Sequence, residues 1–99
     1  MIVSILRFRS ALTPEQVQDL YEARADRYQE VPGLVEKLYL RYRSGEHGAL
    51  YVWESEEALE AFHASDLGSS IRTTYQVEDE PQTELADVTL LVDRRPVSA

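Results

Sequence analysis

Few side chains in this sequence can move a proton or hold a charged intermediate, and they are dispersed. His63 is the only histidine in a stretch with helical spacing, and an imidazole that titrates near neutral pH is a candidate general base. Arg72 carries a permanently charged guanidinium, suited to an ionised phenol or enolate, the anion that has to form before dioxygen can accept an electron from an organic molecule. Trp53 stands where a strand passes into a helix, a place from which an indole can stack on a planar molecule. Tyr39 is a candidate hydrogen-bond donor to a substrate oxygen, and Tyr75 a candidate to close a pocket. Each has a plainer role to weigh against this: Trp53 as a core or interface aromatic, His63 facing solvent, Arg72 in a surface ion pair, Tyr39 and Tyr75 as packing. His47 falls in a turn and reads as exposed, and Tyr21 and Tyr28 read as core.

Other chemistries find no residues to support them. His47 and His63 are 16 positions apart with no carboxylate at a ligand spacing, so no metal constellation is evident. No glycine-rich phosphate loop or nucleophile elbow occurs. The chain has no cysteine, which removes thiolate nucleophiles, disulfides and Cys-ligated metals together. The expectation is chemistry without a cofactor. Ten basic against eighteen acidic side chains give a net charge of −8, which repels phosphate backbones and anionic lipid, so neither nucleic acid nor membrane is expected as a partner. At 99 residues, 43% hydrophobic, the chain is expected to fold as a single domain spanning residues 1–99. Its first residues read as a strand rather than a signal peptide, and no apolar run approaches the roughly 20 residues needed to cross a bilayer. The cytoplasm is the expected location.

The elements that must position these residues are legible in the patterning. Residues 2–9 mix β-branched and aromatic side chains and read as a first strand ending at Ser10. Thr13-Pro14-Glu15-Gln16 is a capping box with proline in the first turn, and Val17, Leu20, Tyr21, Ala25 and Tyr28 then recur at helical spacing, with Arg24 off that stripe. Val31-Pro32-Gly33 stops the helix. Residues 34–43 alternate as a second strand with one mixed face that includes Lys37, Tyr39 and Arg41. Residues 44–48 form a turn, and 49–53 a strand apolar enough to be covered on both faces, giving an antiparallel hairpin. Ser55 caps a second helix whose inward stripe is Ala58, Leu59 and Phe62. Residues 64–75, interrupted at Gly68-Ser69-Ser70, read as a helix end, a break and a short helical turn. Residues 77–82 read as exposed loop, 84–93 as the last strand and 94–99 as a tail.

Two helices cover one face of a four-stranded sheet, yet three of the four strands present apolar residues on both faces. The second face therefore calls for a partner, and for a single gene product the closed solution is a two-fold homodimer through the sheet.

The run Tyr51-Val52-Trp53-Glu54-Ser55-Glu56-Glu57-Ala58-Leu59-Glu60-Ala61-Phe62, preceded by Gly48-Ala49-Leu50, resembles the strand-to-helix segment of the dimeric α/β-barrel superfamily. The likeness is to the antibiotic-biosynthesis monooxygenases, in particular a small mono-oxygenase branch, and in element order it covers nearly the whole chain. It implies an α+β, ferredoxin-like β-α-β-β-α-β protomer, dimerisation through the sheets, and a pocket between sheet and helices. Characterised members include cofactor-independent oxygenases of phenolic and quinol-type molecules, haem-degrading enzymes and lactone isomerases, and fold alone does not choose among them. In the alignment the resemblance suggests, Arg72 falls where relatives place pocket chemistry and Phe62 lines the pocket. The acidic residue and helix histidine of typical members are replaced by Tyr51 and Phe62, with His63 one step out of register. The haem-ligating histidine aligns with Arg72, which cannot ligate iron, so haem is not expected.

The leading expectation is thus a cofactor-independent monooxygenase-like protein acting on a small aromatic or quinol-type molecule, with Arg72 and His63 as catalytic candidates and Trp53, Tyr39, Phe62 and Tyr75 around the substrate. The second is a non-catalytic dimeric small-ligand binder or stress-related accessory, favoured by the replaced acidic residue and the shifted histidine. A lactone isomerase needs a base–acid pair that the sequence does not present.

Overall fold

The computed structural model describes residues 1–93. Its elements are β1 (Ile2–Ser10), α1 (Pro14–Tyr28), β2 (Leu34–Arg41), β3 (His47–Trp53), α2 (Glu56–Ala64), α3 (Asp66–Ser69), α4 (Ile71–Thr74) and β4 (Val77–Asp87). The start of α1 follows from its sequence. Thr13 Oγ1 accepts from the Gln16 amide at 3.2 Å, and Gln16 Oε1 accepts from the Thr13 amide at 2.9 Å, so two otherwise unpaired donors are satisfied at once. The helix buries Val17, Tyr21, Arg24 and Tyr28, a stripe at the helical period. Gly33, at φ 77°, turns the chain into β2, and a Cβ there would collide with Ala58 of α2.

The four strands form one antiparallel sheet in the order β2-β3-β1-β4, so β1 and β3 are central. Their register sets the two faces. Leu6 and Phe8 lie opposite Ala49 and His47, and Lys37 and Tyr39 lie opposite Tyr51 and Ala49, which puts all of them on the face under the helices. Two apolar clusters fill that side: Tyr28, Tyr51, Trp53, Leu59, Phe62 and Leu67 toward α2 and α3, and Phe8, Val17, Tyr21 and Tyr75 under α1. Each large side chain so buried stabilises the fold by about 1.5–3 kcal/mol. The opposite face carries Val3, Ile5, Leu38, Leu40, Leu50 and Val52, none of them buried, with Leu38 46% exposed. This is the α+β, ferredoxin-like arrangement expected from the sequence.

Six local expectations are corrected. The break expected at Gly68-Ser69-Ser70 falls earlier, at Ser65, and Gly68 and Ser69 lie inside α3. The last strand begins at Val77 rather than at residue 84 and ends at Asp87 rather than 93. Pairing of Arg9 and Ser10 with Glu78 and Val77, after a bulge between Arg7 and Arg9, extends the ladder across the supposed loop. Pro81 is tolerated because β4 is an edge strand. The hairpin strands shift by two residues each, β2 ending at Arg41 and β3 starting at His47, because Tyr42 and Glu46 close the turn by a 2.8 Å backbone bond. The mixed face of β2 turns out to be the helix-covered one. Arg24, expected off the apolar stripe, is buried, and His47, expected to be exposed, is only 4% so. The expected tail at 94–99 lies outside the described residues.

Candidate active site

The broken helical segment is what opens a cleft. Ser65 Oγ accepts from the Gly68 amide at 3.2 Å, ending α2 and turning the chain into α3, and α4 follows at once. A cleft of about 250 Å³ remains between these short helices and the sheet. Leu6 and Phe8 of β1, Tyr51 of β3, Phe62 and His63 of α2, Ile71 and Arg72 of α4, and Pro81 and Thr83 of β4 line it. The walls are apolar and aromatic, as small-molecule sites usually are, with an arginine and an imidazole among them.

Of the six residues singled out from sequence, the fold brings three together in this cleft: Phe62, His63 and Arg72. Phe62 is buried and forms a wall, its ring 5.6 Å from that of Tyr51. His63 lies exposed beside it, ring centroids 5.9 Å apart. Arg72 stands at the rim with its side chain 56% exposed, donating to Glu80 Oε1 at 3.1 Å and to the Asp79 carbonyl at 3.4 Å. An exposed pair of this kind holds its partners weakly, so the guanidinium is free to exchange Glu80 for another anion.

The other three are elsewhere. Trp53 is 0% exposed, its indole donating to Ser4 Oγ at 3.0 Å and stacked on Tyr51 at 5.6 Å. It supports the cleft wall from behind and does not line it. Tyr39 and Tyr75 line a separate, smaller chamber under α1, together with Tyr21, Tyr28 and Lys37. Tyr39 stacks on Tyr21 at 4.3 Å, and Tyr75 sits 5.7 Å from Phe8. Burial pushes the phenols of Tyr39, Tyr51 and Tyr75 well above their usual range and Tyr21 up to about 12, so all four stay protonated at neutral pH.

Sequence reasoning missed two cations under α1, Lys37 in the chamber wall and the buried Arg24. Lys37 Nζ lies 3.1 Å from the centroid of the Tyr28 ring and 4.1 Å from that of Tyr39, and burial, reinforced by the charge of Arg24, pulls its amine down to about 6. Arg24 donates from Nη1 to Thr74 Oγ1 at 3.2 Å, and from Nη2 to the Leu67 carbonyl at 3.1 Å and Ser70 Oγ at 3.2 Å, tying α1 to the segment that frames the cleft. A signal existed for both. Arg24 is seven residues after Val17 and four before Tyr28, and Lys37 shares the strand face of Tyr39.

The fold defines a class: an α+β protein with the ferredoxin-like arrangement found in antibiotic biosynthesis monooxygenases. SnoaB of Streptomyces nogalater, a cofactor-independent oxygenase, superposes with a TM-score of 0.73 at 17% identity over 92% of this chain and 95% of its own. The ActVA-Orf6 monooxygenase of Streptomyces coelicolor, solved with nanaomycin D, gives 0.71 at 19% identity over 95% and 92%. NE2512 of Nitrosomonas europaea, of unknown function, gives 0.72 at 15% identity over 98% and 95%. No protein-family model matches the sequence, and no curated protein matches it. The likeness read from the sequence is therefore one of fold. Among the described residues no helix is long and apolar enough to cross a membrane.

Proposed function

We propose that this protein is a cofactor-independent monooxygenase-like enzyme that takes a small aromatic or quinol-type molecule into the cleft between the sheet and α2–α4. The observation that carries the reading is the cleft itself: aromatic and aliphatic walls with one guanidinium and one imidazole at the rim, in a fold whose solved neighbours include a cofactor-independent oxygenase. Phe62 and Tyr51 hold the ring, His63 takes the phenolic proton, and Arg72 leaves Glu80 to hold the resulting oxyanion. The ring anion then passes an electron to dioxygen in a site from which the substrate has displaced water. Trp53 serves by fixing Tyr51. Tyr39 and Tyr75 close the floor from the far side.

The enzyme works as a homodimer in the cytoplasm, the partner covering Val3, Ile5, Leu38, Leu40, Leu50 and Val52. An apolar sheet face of that extent is a usual mark of an interface. Oxygen uptake by the metal-stripped protein across anthrones, hydroquinones and naphthols tests the proposal. Uptake above the rate without protein, lost in Arg72→Met, supports it.

A second reading, a non-catalytic small-ligand binder, is favoured by one specific observation: Arg72 is engaged with Glu80 and His63 is exposed, so neither is fixed toward the cleft interior. A ligand-dependent rise in melting temperature without oxygen uptake selects this reading.

A further inference from the structure

Phe62 borders two spaces. It walls the cleft of about 250 Å³, and it also lines a groove of about 460 Å³ between α2 and the turn that follows α1. Val31, Pro32, Ala58, Ala61 and Leu67 make most of the groove's apolar surface. Among the described residues no other lines both spaces. Sites for drug-sized ligands span roughly 300–1,000 Å³. The cleft falls below that range, and part of it lies at the rim beside the exposed His63 and Arg72. Cleft and groove joined would fall well within it.

Phe62 is held by its ring and by its backbone. It is 4% exposed, and its ring packs on Tyr28 at 5.8 Å, Tyr51 at 5.6 Å and Trp53 at 5.3 Å. Aromatic pairs at such separations attract beyond simple burial. Its carbonyl accepts from Ser65 Oγ at 2.6 Å and from the Ser65 amide at 3.0 Å, and α3 comes so close that a Cβ at Gly68 would collide with that carbonyl. Swinging the ring aside would break three aromatic contacts, so Phe62 is a fixed partition rather than a gate.

We propose that Phe62 sets the size of the ligand, confining the cleft to phenols of one or two rings by shutting it off from the groove. The inference rests on the reading that a phenolic molecule binds in the cleft, and it narrows that class. With the ligand's oxygen at the rim beside Arg72, each further ring has to advance inward against Phe62 and Tyr51. A third fused ring finds room only where the groove begins, on the far side of the Phe62 ring.

Hydroquinone, α-naphthol and anthrone, with one, two and three rings, are the probes. Each is titrated into the full chain, the Phe62→Ala variant and the Phe62→Leu variant, following melting temperature and oxygen uptake. In the parent protein naphthol should bind roughly tenfold more tightly than anthrone. Phe62→Ala should reverse that order, anthrone gaining roughly tenfold while naphthol, which loses a wall, weakens several-fold. Phe62→Leu, which keeps an apolar side chain in the core, moves the ratio the same way by a smaller factor and serves as the test should the alanine variant misfold. Adding Ala61→Trp, at an exposed position lining the groove, fills the space gained and returns anthrone to its parent affinity. Equal affinities for naphthol and anthrone in the parent overturn the proposal, as does a loss of both together in the Phe62 variants, which is what a merely structural ring would give. Naphthol binding without oxygen uptake counts against the oxygenase reading alone and leaves the size limit supported. Binding of none of the three to the parent overturns both.

Discussion

The two spaces beneath the helices share four wall residues and treat charge in opposite ways. In the cleft the charged groups stand at the rim: Arg72 is more than half exposed and ion-paired, and His63 is exposed. Under α1, Lys37 in the chamber wall and the buried Arg24 are drawn inward against tyrosine rings. The cause is the helical cover. A continuous helix of 15 residues closes the α1 side, whereas the other side is roofed by a helix of 9 and two of 4, which leave a gap. A solvated rim charge can exchange partners at little cost, so it suits a ligand that comes and goes. A buried charge is expensive to leave alone, and the chamber bears on stability.

The largest effect that would sharpen this contrast is on the wall behind the cleft. Trp53→Ala should destabilise the fold by about 3–5 kcal/mol, since it removes a fully buried indole and orphans Ser4 Oγ; denaturant unfolding measures it. A loss below about 1 kcal/mol would remove Trp53 from the core.

Next in size is Lys37→Met, which should raise stability at pH 7 by roughly 1–4 kcal/mol, because the fold has to strip the amine of its proton to hold it among the rings. Its pH dependence is the sharper signature. In the unfolded chain the amine keeps its proton up to about 10.4. In the fold it gives the proton up near 6, so between those values the unfolded state binds more protons. Stability of the parent protein therefore falls as pH drops from about 10 toward 6 and then levels, and the methionine variant should lack that slope. Thermal unfolding across this range decides it, and equal slopes would place Lys37 in solvent.

Smaller still, Tyr75→Phe should change stability by less than about 1 kcal/mol, because the hydroxyl it removes is unpartnered. Smallest is Arg72→Met, expected to alter stability by under about 0.5 kcal/mol while abolishing oxygen uptake. A marked destabilisation by this substitution would make the Glu80 pair structural and weaken the contrast.

Most of the architecture was legible in local signals. The Thr13 capping box, the Gly33 stop and the Ser55 cap are short-range, and each appears where the sequence puts it, whereas the break after α2 falls at Ser65 and not at Gly68 to Ser70. The errors came where distant pairing overrides composition. The acidic stretch 77–82 reads as loop until Arg9 and Ser10 offer it a ladder, and His47 reads as a turn residue until Phe8 lies opposite. The cleft was half legible. Phe62, His63 and Arg72 converge, but the depth at which Trp53 sits is fixed by Ser4, 49 positions away, and the inward turn of Lys37 by the register of β2 on β3. Neither has a local cue.

Filling the cleft is the most direct test that an aromatic ligand binds there. Thr83 is exposed on an edge strand and lines the cleft, so Thr83→Trp should occupy the space without disturbing the core. The measurement is oxygen consumption with the best substrate of the phenolic panel, alongside that substrate's effect on melting temperature, for the parent protein and this variant. Both responses should vanish in a variant that remains folded by circular dichroism. Responses equal to those of the parent would place the ligand elsewhere and contradict binding in the cleft.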